Sequence, residues 1–565
     1  MKKFIPLILL LLITVLGLII RFYRLGQAPA GLYLDEAAQG YNAYSILKTG
    51  KDEFGKALPI VFRSFADFKT PVYIYLIVPL IPIFDLTPFT VRFPSFFFSV
   101  LTLPLIYLLT RKLIPKPAPA TALALLTSLI LAISPWHTLF GRTNFECNVA
   151  LFFLLLAVYS FYLALKKPPL LILSAFFFAI TIPTYHSQRL IVPLLLLLLF
   201  VRYCRLLFSP SHRRFALAAF VFGLLLSLPT LSIMFTPGFL ARAATLNIFT
   251  QAPSGHLSWY QGPLASLINA RWYLTTKEFF ALYLSYFSPR NLFLLGDYGP
   301  RSSFPDLATL FTWQYPFYLF GLYRLAIEKK LGELRFFMLA LLLISPLPAA
   351  ITRDPFTTIR ALPLVIPLTF IVSLGLIRVY QLISPLLRKT ALIVFGLVIV
   401  YSLVNLYSSV IVLNEHFRAP YWDYGWQRVV DRLNTLDPKL PVVIDNARAE
   451  PYSQILFFTK FNPEQYQREN FEVPLSEYYT NLNRNPVKNI GRITVRPINW
   501  EPDLIEEQYL VGDAIAISQQ QISLNQMTLI EEITYPDNTP AYRVVLTNPK
   551  YQQSVRAISK RQGVK

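Results

Sequence analysis

The run Gly31-Leu32-Tyr33-Leu34-Asp35-Glu36-Ala37 carries an adjacent acidic pair a short way beyond a long apolar stretch. An ionised carboxylate placed there can take the proton of an attacking hydroxyl. The competing reading is a helix start, because carboxylates are stabilised at the positive end of the helix dipole. Farther on, Asp67-Phe68-Lys69-Thr70-Pro71 sets a lysine and an acid just ahead of an apolar run. An ammonium at that depth can meet a phosphate, or it can serve as a snorkelling anchor. Pro135-Trp136-His137 and Gly141-Arg142-Thr143-Asn144-Phe145-Glu146 follow the next apolar pair, and Glu146 opens another apolar run. An acid and a base at the edge of a bilayer are expensive unless paired or used. Tyr185-His186-Ser187-Gln188-Arg189 then runs straight into apolar sequence, and Arg353-Asp354 and Arg360 mark a later short turn. His186 alone reads as an interface residue, but donors and acids recur turn after turn. The set is more informative than any member.

Other chemistries lack their residues. Five histidines, with no His-x-x-x-His and no cysteine pair, do not assemble a closed metal-ligand set by spacing. No glycine-rich phosphate loop is present, which argues against nucleotide hydrolysis. No metal and no cofactor is therefore expected. Cys147 and Cys204 fall near opposite ends of the apolar runs, so no disulfide between them is expected.

The elements that must position these residues are membrane helices. Of 565 residues 54% are hydrophobic and only 15% charged, and the mean hydropathy is +0.47, so water is not the main solvent of this chain. Apolar runs cover 4–20, 71–84, 92–111, 118–135, 148–165, 169–184, 189–206, 214–235, 307–327, 335–350, 361–381 and 389–411. The formal charge of +21 suggests nucleic acid at first sight. In a membrane chain it is instead read by which loops hold the basic residues. Lys2/Lys3, Arg111/Lys112/Lys116, Lys166/Lys167, Arg202/Arg205/Arg213/Arg214, Lys329/Lys330/Arg335 and Arg388/Lys389 fall on one side only if 71–84 does not cross.

That run is short for a roughly 30 Å hydrocarbon core, and Pro79 and Pro82 interrupt it. It is read as a helix on the membrane surface. About eleven transmembrane helices remain, with the N-terminus inside. Loops 21–91 and 236–306 are then outside, and so is everything beyond 411. Lys2-Lys3, an apolar stretch and Ala28-Pro29-Ala30 imitate a secretory signal. Cleavage is not expected, since the stretch is long, Pro29 sits inside the site and Arg21 and Arg24 intervene. The fold class is thus a polytopic α-helical membrane protein: residues 1–411 form the membrane domain and 412–565 an extracytoplasmic α/β domain. In the latter, Val442-Val443-Ile444-Asp445, Tyr509-Leu510-Val511 and Arg543-Val544-Val545-Leu546 read as strands.

The order of apolar helix, Asp-Glu in a long first outer loop, Lys-x-Pro before a surface helix and Arg-x-x-x-Glu in the second outer loop resembles the GT-C membrane glycosyltransferases. More narrowly it resembles the branch that holds protein O-mannosyltransferases and lipid A aminoarabinose transferases. The resemblance covers the first half of the chain by motif and the rest by architecture. It implies that Asp35 is the catalytic base with Glu36 beside it, that Lys69 approaches the donor phosphate, and that Arg142 and Glu146 form the second-loop pair. The family's Lys-Pro-Pro stands here as Lys-Thr-Pro, preceded by Asp67.

What the resemblance implies is an inverting transfer of a sugar from a polyprenyl-phosphate donor to the hydroxyl of a glycan, lipid or protein acceptor. Asp35 would be the base, with Glu36 and Glu146 as further catalytic candidates. Lys69, Arg142, Arg189 and Arg360 would face the phosphate, with Asp67, Tyr185 and His186 as further site candidates. The expected partners are the lipid-linked donor, the acceptor and membrane lipid, and no nucleic acid. The expected location is the outer face of the cell membrane. Two other readings stand beside this one: a transporter or flippase for lipid-linked glycans, and a glycan polymerase or ligase. Transporters commonly show internal repeats and ionisable groups at mid-membrane, neither of which is evident here. The acidic pair in a long first loop favours the transferase over the polymerase.

Overall fold

The structure is a computed structural model that describes residues 4–65, 67–114, 120–239, 247–249, 259–353 and 355–554. Lys2, Lys3, Lys116 and Asp354 lie outside the described residues. Among the described residues, eight helical stretches are long and apolar enough to cross a membrane: Ile5–Phe22, Pro88–Leu113, Glu146–Ala164, Gln188–Leu207, Arg213–Ser232, Lys329–Ile351, Leu362–Leu382 and Pro385–Trp422. The other expected spans are also helical but shorter, as Ala120–Ala132, Leu170–Thr184 and Tyr315–Ile327. Run 71–84 is broken, with helix over Pro71–Ile77, a 3-10 turn at Val78–Leu80 and a last turn at Ile81–Phe84. Proline supplies no amide hydrogen, so Pro79 and Pro82 fall where those breaks begin. Ile5–Phe22 is called α1, Leu34–Thr49 α2 and Pro71–Ile77 α3 below.

Backbone contacts divide the chain into two compact units. One comprises Met1–Leu25, Asp67–Tyr73 and Arg92–Ile411, and the other Gly26–Ala66, Ile74–Val91 and Val412–Lys565. The second unit therefore draws in most of the first long loop together with the C-terminal region.

Within the first unit the helices Tyr315–Ile327 and Val365–Leu382 cross with their backbones in contact. A Cβ on Gly321 would lie 1.9 Å from the carbonyl oxygen of Ile371, and one on Gly375 would lie 1.9 Å from that of Phe317. Two facing glycines let the backbones touch, as small residues do where helices pack in lipid. At one end of this pair Glu328 accepts from Arg324 at 3.0 Å and also pairs with Arg378. Arg202 reaches Glu333 at 2.6 Å in the same manner. Of the basic residues noted in the sequence, Arg202 is thus paired with a carboxylate.

In the second unit a six-stranded sheet is built from β1 (Val442–Ile444), β2 (Lys488–Ile490), β3 (Ile493–Val495), β4 (Tyr509–Asp513), β5 (Thr528–Thr534) and β6 (Pro540–Leu546). Its order is β2-β3-β1-β4-β6-β5, with β1 parallel to both β3 and β4 and the outer pairs antiparallel. The three segments read as strands in the sequence are β1, β4 and β6. Val442, Ile444, Val511 and Val544 on one face of the sheet pack with Trp426, Val429, Ile455 and Tyr466, and Tyr41 of α2 enters the same core. α2 is buried on nearly every side: Gly40 lies so close to Phe457 that a Cβ there would come within 2.6 Å of its ring. No amphipathic stripe could have announced such a helix.

The loop after α2 is locked into this unit by polar groups. Asn42 Nδ2 donates to Glu53 Oε1 at 2.8 Å and Glu53 N returns a bond to Asn42 Oδ1. Gln467 Nε2 donates to the Asp52 carbonyl at 2.8 Å, and the Tyr478 hydroxyl donates to the Asp52 carboxylate. Nearby Lys488 and Glu472 form an ion pair with side chains 2% and 4% exposed. Burial raises the pKa of Asp52 to about 6, opposed by hydrogen bonds from Tyr478, Lys56 and Phe54. Burial likewise pushes Glu53 up, opposed by the Asn42 hydrogen bond.

Two stability predictions follow from these contacts. Gly321→Ala or Gly375→Ala forces a methyl group into a backbone carbonyl, and each should cost about 1–3 kcal/mol or more, seen as a lower midpoint of thermal unfolding in detergent. For Asp52 the folded carboxyl holds its proton to higher pH than the unfolded one, whose value is near 3.8. Its contribution is therefore complete below that value and lost as pH rises through about 6. The unfolding midpoint should fall between about pH 4 and about pH 7.5, and Asp52→Asn should flatten that slope.

Candidate functional site

Asp35 and Glu36 occupy the first turn of α2, in the second unit. Glu36 is 2% exposed, and its Oε2 accepts the backbone N–H of Tyr33 at 3.2 Å. This is the reach-back half of a capping box, which satisfies an amide that the helix leaves unbonded. Asp35 is half-buried. The segment before it is held from the C-terminal region: Leu34 N donates to Asp423 Oδ2 at 2.8 Å, and Gln454 Nε2 donates to the same oxygen at 3.0 Å. Gly31, at φ +90, passes so close to Trp422 that a Cβ would stand 2.3 Å from its carbonyl oxygen.

The remaining candidates belong to the first unit. Asp67–Lys69 is a short extended stretch, and the proline at the first position of α3 starts the helix without wasting a donor. Lys69 is 7% exposed. Thr70 Oγ1 donates to the carbonyl of Thr184 at 2.9 Å, which brings the Lys69 segment alongside Thr184-Tyr185-His186. Tyr73 on α3 accepts from Ser95 N at 3.2 Å. Ser95 Oγ donates to the Phe145 carbonyl at 3.3 Å, and Asn148 Nδ2 donates to the Ser95 carbonyl at 2.8 Å. α3 is thereby tied to the start of the Glu146–Ala164 helix, whose first residue, Glu146, is 7% exposed and lies at the positive end of the helix dipole.

Arg142 is fully buried. Its guanidinium donates to the carbonyls of Ile20 at 2.8 Å, Arg21 at 3.1 Å and Tyr23 at 2.8 Å. These are carbonyls at the C-terminal end of α1, which a helix cannot bond for itself. A cation there also meets the negative end of the dipole. Arg21 is spent in the same way, on Ser99 Oγ at 2.6 Å and on the Ala132 and Leu131 carbonyls at 2.8 and 3.3 Å. Its Nη2 also lies 2.9 Å from His137 Nδ1. A guanidinium only donates, so Nδ1 is the acceptor and the imidazole is the neutral Nε2–H tautomer. Burial first, and the Arg21 charge second, hold His137 well below the usual histidine value. Burial, followed by the Arg92 and Arg24 charges, pulls Arg142 down to about 9.

Arg189 donates to the Phe239 carbonyl at 3.0 Å and lies 3.5 Å over the Phe239 ring. Arg360 donates to Thr352 Oγ1 at 2.8 Å. Beside it, Asp297 accepts from the amide and hydroxyl of Thr358, whose carbonyl in turn accepts from Trp136 Nε1 at 3.1 Å. Burial raises Asp297 above its ordinary range, against those hydrogen bonds. Arg353 pairs with Glu278 at 2.5 Å.

Lys69, Tyr185 and His186 are thus joined through the Thr70–Thr184 bond, and Glu146 through Tyr73 and Ser95. Arg142 is bonded to carbonyls at the end of α1, and Arg360 lies in a separate cluster with Asp297. Asp423, Gln454, Tyr73, Ser95 and Asn148 had no signal in the sequence, since each acts through hydrogen bonds to groups far away along the chain. Among the described residues, no three His, Cys, Asp or Glu side chains converge as metal ligands would.

The family described as dolichyl-phosphate-mannose-protein mannosyltransferase matches residues 68–233. Among solved structures, the chain is similar to ArnT from Cupriavidus metallidurans in the apo state, at 12% identity and a TM-score of 0.51, covering 96% of this chain and 98% of that one. It is similar to the same protein bound to undecaprenyl phosphate, at 13% identity and a TM-score of 0.52 with the same coverage. The oligosaccharyltransferase AglB from Archaeoglobus fulgidus, in complex with an inhibitory peptide and a dolichol-phosphate, matches at 13% identity and a TM-score of 0.47, covering 96% of this chain and 74% of that one. No curated protein matches the chain.

Replacing Arg142 separates two roles. Arg142→Ala leaves three carbonyls without their donor and should destabilise the protein by about 3 kcal/mol or more, with Arg142→Lys only a partial remedy because one ammonium cannot span the three. An unchanged unfolding midpoint with weakened donor binding would instead put this guanidinium on the phosphate.

Proposed function

We propose that this chain, whose architecture is that of the GT-C membrane glycosyltransferases, transfers a sugar from a polyprenyl-phosphate donor to an acceptor hydroxyl, with inversion, on the outer face of the cell membrane. The observation that carries the reading is the family match over 68–233, which takes in Lys69, Arg142, Glu146, Tyr185, His186 and Arg189 on a chain with this fold throughout. The similar ArnT structure holds undecaprenyl phosphate, which supports a polyprenol as the lipid.

In this mechanism Asp35 takes the acceptor hydroxyl proton as the oxygen attacks the anomeric carbon. The bond from that carbon to the phosphate oxygen breaks, and its electron pair leaves with the polyprenyl phosphate. The departing group is already an anion, so no general acid is required. Charge grows on it along the reaction path, so a preplaced cation stabilises the transition state more than the ground state. Lys69 is that cation, with Arg189 and Arg360 in support. Arg142 keeps the end of α1 in place, and Glu36 keeps the start of α2. Glu146 lies at the head of the helix beside the Lys69 segment and orders it through Ser95 and Tyr73. His137, neutral and hydrogen-bonded to Arg21, takes no proton in this scheme. Tyr185 and His186 follow Thr184, which accepts from Thr70 next to Lys69, and Asp67 precedes that lysine. The acceptor is a glycan, a lipid or a protein. The N-terminus is cytoplasmic, and residues 412–565 are extracytoplasmic.

The test is transfer of labelled sugar from a panel of polyprenyl-phosphate sugars by the full chain in proteoliposomes. Asp35→Asn should lower turnover by about a thousandfold or more with donor binding retained, within the range expected of a lost general base. Lys69→Ala should weaken both donor affinity and turnover. Full activity of Asp35→Asn at equal folded amount would remove the base from its role.

A further inference from the structure

The most specific set of contacts not yet given a role lies at the head of α2. Asp423 belongs to the turn Trp422-Asp423-Tyr424-Gly425, in which Asp423 itself adopts φ +52 and Gly425 φ +105. A non-glycine residue with positive φ is uncommon, and here it turns the carboxylate toward the α2 start. Its Oδ2 accepts two hydrogen bonds at once, from Leu34 N at 2.8 Å and from Gln454 Nε2 at 3.0 Å. The donor amide belongs to the residue immediately before Asp35. Gln454 is itself fixed, because its Oε1 accepts from Ser453 Oγ at 3.0 Å, and Ser453 Oγ also lies 3.4 Å from the Leu34 carbonyl. Gln454 and Ser453 are both buried. Tyr33 packs edge-on against Trp422, with ring centroids 6.4 Å apart, and Gly31 has no room for a side chain against the same turn.

We infer that Asp423 is the positioning residue for Asp35: it fixes the backbone from which the base projects, and the 412–565 region contributes to catalysis by holding that helix. This inference rests on Asp35 being the base. Three physical reasons connect the contact to rate. A general base must stand within hydrogen-bond reach of the proton that it removes, and a displacement near 1 Å can reduce turnover about a hundredfold. An unbonded first-turn amide lets a helix end fray. An ionised acceptor makes a stronger bond to that amide than a neutral one. Farther along, Tyr41 Oη donates to the Phe461 carbonyl at 3.1 Å, and Gln467 Nε2 donates to Ser45 Oγ at 3.2 Å. These bonds hold the body of α2, so loss of Asp423 should loosen its first turn alone.

The experiment compares the full chain in proteoliposomes as wild type, Asp423→Asn, Asp423→Ala, Gln454→Ala, Asp35→Asn and the double variant Asp35→Asn/Asp423→Ala. Turnover and donor KM are read for each, with amide hydrogen exchange of residues 33–37. The expected result is a fall in kcat of about ten- to a hundredfold for Asp423→Ala. Donor KM should change by less than about threefold, and exchange should rise at Leu34 and Asp35 but not at Tyr41. Asp423→Asn, which retains one acceptor oxygen, should fall between that variant and wild type. The double variant should be no slower than Asp35→Asn alone, because a positioning residue has nothing left to position. Wild-type kcat for Asp423→Ala alongside an inactive Asp35→Asn would overturn the inference and leave the base in place. An active Asp35→Asn would remove the base and the inference with it. If Asp423→Ala does not fold, Gln454→Ala and Asp423→Asn carry the comparison, and unchanged exchange at Leu34 in both would overturn the inference.

Discussion

A helix that ends near a bilayer leaves backbone groups that water cannot reach, and the chain must answer them with its own side chains. Both ends that bracket residues 23–33 are answered by charged groups. At the end of α1, Arg142 meets the carbonyls of Ile20, Arg21 and Tyr23. At the start of α2, Asp423 and Glu36 meet the amides of Leu34 and Tyr33. The chain between those two ends carries Gly31 in a backbone conformation that other residues rarely adopt. The Leu34 amide that Asp423 holds belongs to the residue just before Asp35.

Charged side chains in this protein accordingly divide by what they hold. Arg21, Arg142 and Glu36 are buried and bonded to backbone groups at helix ends. Arg189 is spread over an aromatic ring and a carbonyl. Next to Lys69, Thr70 bonds the Thr184 carbonyl, and the lysine's backbone is set at a strand-to-helix junction. A proline at the first helical position fixes that junction, since the preceding residue is pushed into extended backbone. The Lys-Thr-Pro sequence is thus a geometric device as well as a chemical one.

This division explains how much the residues disclosed. The apolar runs showed the helices because lipid demands length and apolarity together. Short strand patterns such as Val442-Val443-Ile444 showed the sheet. Helix α2 could not be found in that way, being buried around its circumference with alanines, a glycine and polar residues. The acidic pair at its head was visible, but Asp-Glu reads identically as base and as cap. In the structure Glu36 caps, by a 3.2 Å bond to Tyr33. Arg142 posed the same ambiguity: an arginine beside an acid suggests a phosphate, and only the carbonyls around it show the other use. Asp423 gave no sign at all, since a turn aspartate is ordinary and its partner lies 389 residues earlier.

That separation has a consequence for how the protein becomes competent. α2 has 16 residues, and in proteins a helix of this size draws most of its stability from tertiary packing. Its stability must come from packing, and besides Val91 the surfaces that bury it (Phe457, Tyr466 and the sheet with Val442 and Val511) arise from the end of the chain. Contacts of such sequence separation form late, because the loop entropy must be met before any contact rewards it. The segment bearing Asp35 is made early, but the Leu34 amide meets its acceptor only once Asp423 has been made and folded. An ordered first turn of α2 therefore reports that the Asp423 turn is in place. A chain interrupted before that point carries the acidic pair without the structure that aims it.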